Sequence, residues 1–215
     1  MRLFSYKLTH DSGFAPNPFG HTLTLATCKP GIRRTKKVGD WVAGFTSKAL
    51  DGSEVGKEKL IFLMRVGERL SFHDYYRDER FQNKIPDRSI RNPENWAGDN
   101  IYKPGSSDAW EPGDFKQLPN PNHDKCGFQK KDLSGQYVLI ADKFWYFGSN
   151  AIALKLSVRP KVPYGSAQYG VRTGNDKSRR FIEHIEQEFK TGRHGDPHQW
   201  PPVFGSGSGC GSSCA

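Results

Sequence analysis

At 215 residues the chain is long enough for one domain with a sizeable core. A net charge of +9 and a pI near 9.4 favour polyanionic partners, the plainer alternative being a solvated basic surface. With 35% hydrophobic residues, a mean hydropathy of −0.73 and no apolar run of spanning length, a transmembrane helix is excluded as an expectation.

Arg2, Lys7, His10 and Asp11 interrupt the start, so no signal-peptide core is expected. Cys28, Cys126, Cys210 and Cys214 lie far apart, which fits reduced thiols and a cytoplasmic location, although two disulfides would also use all four. Residues 2–9 alternate Leu3, Ser5 and Lys7 against Phe4, Tyr6 and Leu8, predicting an opening strand with an aromatic face. A loop follows, broken by Gly13, Pro16, Pro18 and Gly20. Residues 22–27 alternate again and predict a strand that stops near Pro30; Gly39-Asp40 predicts a turn, and residues 41–46 a third strand. Residues 48–59 read as an exposed hairpin loop and 59–70 as the longest apolar strand, with Gly67 marking a bulge or bend. Ser71 with Asp74 three residues on predicts a capped helix carrying Phe72, Tyr75 and Tyr76 on one face.

Residues 86–122 are rich in Pro, Gly, Asn and Asp and predict a long irregular loop around Trp96 and Trp110. Residues 136–147 predict a strand, a break near Asp142, and an aromatic strand. Phe181, Ile182, Ile185 and Phe189 form the apolar stripe of a helix over 178–190, with Asp176 as its cap and Gly192 as its stop. The expected organisation is a single α+β domain over residues 1–204, followed by a flexible Gly/Ser tail over 205–215.

The richest candidate site lies between residues 11 and 45. Asn17, held between Pro16 and Pro18, is placed to read a base edge, and Phe14 and Phe19 to flank a flat ring. Lys29, Arg33 and Arg34 are candidates for phosphate contact, as are Lys36 and Lys37. Trp41, directly after Asp40, is placed to stack on a base, although packing over the mouth of a barrel is an equally ordinary role. Asp99 and Asn100 have the chemistry to read an exocyclic amine or a sugar hydroxyl, or simply to make a turn. His10 and Asp11 with Cys28 provide an acid/base pair and a thiol nucleophile, with Tyr6 on the neighbouring strand. His194, His198, Cys210 and Cys214 are ligand types suited to zinc, but Pro197 and the Gly/Ser setting argue against a site, and no metal is expected. Phosphate-cradling glycine loops, nucleophile elbows and HExxH pairs are absent from the sequence, and no cofactor is expected.

The runs HDSGFAPNPF, ATCKPGIRR and VGDWVAGF, with the later LMRVGERLSFHDYYRDERFQNKIP, GDNIY and VLIADKFWYFG, resemble the nucleotide modification associated domain family of the second type. That resemblance reaches to about residue 148 and implies a bacterial or phage context of DNA-base modification and phage defence. The order of VGDWVAGF, KLIFLMRVGE and FHDYYRDERF is similar to PUA-like domains of the EVE, YTH and ASCH kind. The similarity implies a curved mixed or antiparallel β-barrel with a few peripheral helices, holding a flipped modified base in an aromatic cage. The leading expectation is therefore binding of a modified base, in nucleic acid or as a nucleotide, in an aromatic, basic-rimmed pocket. The alternative is an enzyme that modifies, transfers to or hydrolyses a base or nucleotide through His10, Asp11 and Cys28. A protein-interaction role for the 99–110 loop and the terminal helix is a third class.

Overall fold

The computed structural model describes residues 1–201 except 88, 107, 124–126 and 166; the expected tail and Cys126, Cys210 and Cys214 lie outside the described residues. Its centre is one mixed sheet. Strands β1 (Leu3–Lys7), β2 (Thr24–Leu25), β3 (Trp41–Phe45), β4 (Leu60–Ser71), β7 (Tyr137–Tyr146), β8 (Val171–Thr173) and β9 (Gly192–Arg193) build it, and β5 (Tyr102–Pro104) pairs with β6 (Phe115–Gln117) in a separate hairpin. The sheet order is β2-β7-β4-β3-β1-β8, with β9 also against β7. The β1–β3 and β7–β9 pairs are parallel and the others antiparallel. The architecture is α+β with few helices, but the path is open and there is no closed barrel among the described residues.

Alternation along β3 divides the core. Val42 joins Tyr6, Phe62 and Met64 on one face; Trp41, Ala43 and Phe45 join Leu3, Leu63 and Trp145 on the other. The second face is covered by Phe181, Ile182 and Ile185 of helix α6 (Asn175–Glu188), the stripe read from the sequence. That helix starts after Gly174, with Asp176 in its first turn rather than at its cap. A third cluster joins Phe72, Tyr75, Phe81, Tyr102 and Phe115 to Val138 and Ile140.

The long strands bend where Gly67 predicted. Pairing between β4 and β7 shifts on either side of Val66, and a Cβ on Gly67 would lie 2.4 Å from the Asp142 Cβ. The break expected near Asp142 is not formed. Strand β7 runs through it, and Arg65 binds the Asp142 carboxylate from β4, so the polar residues sit on a sheet surface instead of in a turn.

Several short helices replace expected loops. Residues 30–35 form α1 (Pro30–Thr35), and the 48–59 connection holds α2 (Lys48–Asp51). Helix α3 (Phe72–Arg77) is capped as predicted: the Ser71 Oγ accepts the Asp74 N–H at 3.0 Å. The stretch expected to be irregular contains α4 (Pro93–Trp96) and the β5–β6 hairpin, because Ile101, Tyr102 and Phe115 have an apolar cluster to join. Helix α5 (Phe128–Leu133) then leads into β7.

Candidate functional site

The loop between β1 and β2 folds against two later parts of the chain. Asn17 makes an antiparallel bridge with Thr24, which leaves β2 only two residues long and turns the loop toward the residues after α3. The Asn17 side chain is fully buried. Its Nδ2 donates to the Ala97 carbonyl at 2.9 Å, and its Oδ1 accepts from Lys84 Nζ at 2.8 Å and from the Phe19 N–H at 3.2 Å. The amide expected to read a base edge is therefore spent inside the protein.

Lys84, which sequence reading did not single out, organises this region. Its buried ammonium reaches the carbonyls of Asn17 and Thr22 and the Thr24 hydroxyl, besides the Asn17 amide. Asp99 completes the network by accepting from Thr24 Oγ1 and Tyr75 OH, both at 2.7 Å. Burial lowers the Lys84 pKa to about 8, against the opposing charge of Asp99, and burial raises that of Asp99, against the opposing charge of Lys84. Asn100 Nδ2 is likewise taken up by the Tyr75 and Phe81 carbonyls.

On the outer side of this network lies an open cavity of about 500 Å³, with Asn17, Phe19, Asn83, Lys84, Glu94 and Asn95 among its lining residues. Gly20 borders it, and a Cβ there would stand 2.6 Å from the Asn83 Nδ2, so the missing side chain makes room for that amide. Among the described residues the lining carries Asp87 and Glu94 beside the buried Lys84, and Arg193, which pairs with Glu94 and stands over Phe19, is the cation next to it in place of the expected Lys29, Arg33 and Arg34.

The basic residues go elsewhere. Arg33 is fully buried: Nε donates to the Cys28 carbonyl at 2.8 Å, Nη1 to Tyr137 O at 3.1 Å and Nη2 to Asp132 O at 2.6 Å. Asp132 in turn accepts the Cys28 N–H at 2.9 Å and the Tyr102 hydroxyl at 3.0 Å. His123 Nε2 stands 2.8 Å from its Oδ2 without hydrogen-bond geometry. This clamp holds Cys28 and Lys29 in left-handed backbone, at φ 55° and 40°, ahead of α1. Arg34 is exposed, Lys29 stands 5.1 Å over the Tyr6 ring, and Asp40 binds Arg2 through both carboxylate oxygens.

Trp41 does not meet Asn17. It is buried and stacks on Trp145 at 6.2 Å between ring centres, in the cluster under α6, whereas Asn17 lies beside β2 at the sheet margin. Phe14 is also buried, packed against His123 at 5.3 Å. Phe19 is the ring of the loop that borders the cavity; it packs on Trp200 at 4.9 Å, and the Arg193 guanidinium stands 4.9 Å from it.

The expected grouping of His10, Asp11 and Cys28 is rearranged. His10 is exposed and its Nδ1 lies 3.4 Å from the Gln199 amide. Asp11 is buried, and its imidazole partner is His198, whose Nδ1 lies 2.8 Å from Asp11 Oδ2. Tyr146 OH donates to Asp11 Oδ1 at 2.5 Å. Part of Cys28 reaches solvent, yet the packed surroundings of its thiol push the pKa up to about 11; Asp132 adds to the rise, and Arg33, Lys29 and Lys131 oppose it. Tyr6 is raised beyond its ordinary range by burial, then by Cys28 and Asp11. Sequence reading treated His198 as a weak zinc ligand; its pairing with a residue 187 positions away left no local signal. His194 stacks on Phe147 and does not join it.

Among the described residues no three His, Cys, Asp or Glu side chains gather as metal ligands, and no helix is long and apolar enough to cross a membrane. No curated protein and no solved structure matches the chain. One family model does, over residues 1–202: nucleotide modification associated domain 2. The aligned region takes in the β1–β2 loop, the Lys84 network and the Asp11–His198 pair alike, and the chain belongs to that family.

Proposed function

We propose that the protein binds a modified base or nucleotide, free or within nucleic acid, in the cavity beside Phe19. Family membership supplies the nucleotide-modification context. The observation that carries the reading is the cavity itself: about 500 Å³, bordered by Phe19 and lined by Asn83, with the buried Lys84 network as its base; the amide of Asn95, which also lines it, is held by the Asp87 N–H and the Ile85 carbonyl. That volume suits a nucleoside-sized ligand, and carboxamides can supply both donors and acceptors to a ring edge. Asp87 accepts from Ser89 and Glu94 pairs with Arg193, so in this reading the ring edge of the ligand is met by the Asn83 carboxamide. The surplus of positive charge then serves a longer polyanion outside the cavity.

Calorimetric titration of modified and plain nucleosides and oligonucleotides tests this. Preference for a modified ligand, weakened about tenfold or more by Asn83→Ala, is the expected result. Equal affinity for modified and plain ligands, unaffected by Asn83→Ala, overturns it.

A further inference from the structure

We propose that Asp11 and His198 form an acid/base dyad in which His198 Nε2 accepts a proton from water during hydrolysis of a nucleotide-class substrate. The substrate class rests on the binding reading above; the dyad rests on its own geometry.

Asp11 is 1% exposed and tied down on every side. Its backbone N–H donates to Gln199 Oε1 at 3.0 Å, and its carbonyl accepts the Gln199 N–H at 2.9 Å. The carboxylate accepts the Tyr146 hydroxyl on Oδ1, and both the backbone N–H and Nδ1 of His198 on Oδ2, at 3.2 and 2.8 Å. An ionised carboxylate only accepts, so Nδ1 carries the imidazole proton and Nε2 keeps a free lone pair. Among the described residues Nε2 takes no hydrogen bond, and the His198 side chain retains 15% exposure. A buried carboxylate that fixes the tautomer of a partly exposed imidazole is the arrangement a general base needs.

The surroundings suit that role. Strand β9 pairs with the Tyr146 end of β7 and delivers residues 194–200 onto the β1–β2 loop. Pro197 lies against Gly13, and Trp200 against the Phe19 ring that borders the cavity. Arg193, on β9, is held by Glu94 and Asp196, so the charge carried on this segment is internally paired. In the step proposed, a water O–H bond breaks and its proton passes to Nε2. The water oxygen bonds to the electrophilic atom of the substrate, the bond to the leaving group breaks, and Nε2 returns the proton to that group.

The test incubates a panel of nucleotides and modified oligonucleotides in ¹⁸O-water and reads products by mass spectrometry. One ¹⁸O per cleaved bond is expected, with turnover falling about a hundredfold or more in His198→Ala. Added imidazole should restore part of it, which a merely structural histidine would not allow. Asp11→Asn should move the rising limb of the pH–rate profile to lower pH. Melting curves and Asn83-dependent binding show whether each variant folds. Wild-type protein that binds in the cavity but incorporates no label overturns the dyad and leaves the binding reading standing. Label that appears with His198→Ala as fast as with wild type also overturns it. Hydrolysis that depends on His198 and not on Asn83 keeps the dyad while the cavity assignment falls.

Discussion

Arg33 sends its Nε hydrogen into the Cys28 carbonyl across 2.8 Å, while the N–H of Cys28 ends on Asp132, whose own carbonyl Arg33 also holds. Both ends of the Cys28 backbone are thus fixed by one buried pair, in a conformation that side chains seldom adopt. Removing the guanidinium leaves the carbonyls of Cys28, Tyr137 and Asp132 without that donor and the buried Asp132 carboxylate without its cation. Arg33→Met should cost about 3–5 kcal/mol in urea unfolding. Gly135→Ala should lower stability through the same residue, because its Cβ would sit 2.4 Å from Arg33 Nη1. A loss below about 1 kcal/mol for both variants would show that the clamp does not hold the turn.

Lys84 makes a pH-dependent prediction. Its folded pKa, lowered to about 8, lies below its unfolded value, so between those two values the unfolded chain binds the extra proton and stability rises with pH. Relative to Lys84→Met, wild type should gain about 1 kcal/mol between pH 7 and pH 9. Using the difference between the two proteins cancels the opposing contributions of Cys28 and the buried tyrosines. Denaturant melts across that range check it; a constant or shrinking difference means Lys84 is not held as described.

Cys28 should be a slow nucleophile. A thiol pushed up to about 11 carries on the order of a hundredfold less thiolate at pH 8 than an unperturbed cysteine. Site-mapped iodoacetamide labelling of the native protein should therefore lag a cysteine peptide and accelerate only well above pH 9. Fast labelling at pH 7.5 would return Cys28 to the list of candidate nucleophiles.

Trp41 separates packing from recognition. Trp41→Ala opens the interior against Trp145 and should cost about 3–5 kcal/mol. Trp41→Phe, which keeps a ring in the same cluster, should leave ligand affinity within twofold of wild type. A large affinity loss in Trp41→Phe with an unchanged melting temperature would reinstate the indole as a ligand contact.

Short-range chemistry was legible in the sequence. Ser71 and Asp74 announced the start of α3, Phe181, Ile182 and Ile185 the buried face of α6, and Gly67 the bend between two long strands. What stayed hidden depended on partners far away along the chain. Asn17 looked available because its amide is flanked by prolines, but Lys84, 67 positions on, occupies it. Arg33 looked like a phosphate contact because its neighbours Arg34, Lys36 and Lys37 are basic, yet Asp132 draws it inward. His198 followed a proline and offered no periodicity, so only the fold could bring it to Asp11.

The clasp of residues 192–199 over the first loop also sets an order of events during synthesis. Asp11 leaves the ribosome roughly 10 to 40 s before His198 at ordinary elongation rates. In that interval its carboxylate has no imidazole to orient, and β9 has nowhere to dock until β7 exists. A nascent chain stalled short of residue 198 therefore holds half of the pair, and the tyrosine-anchored aspartate waits for the late arrival that completes it.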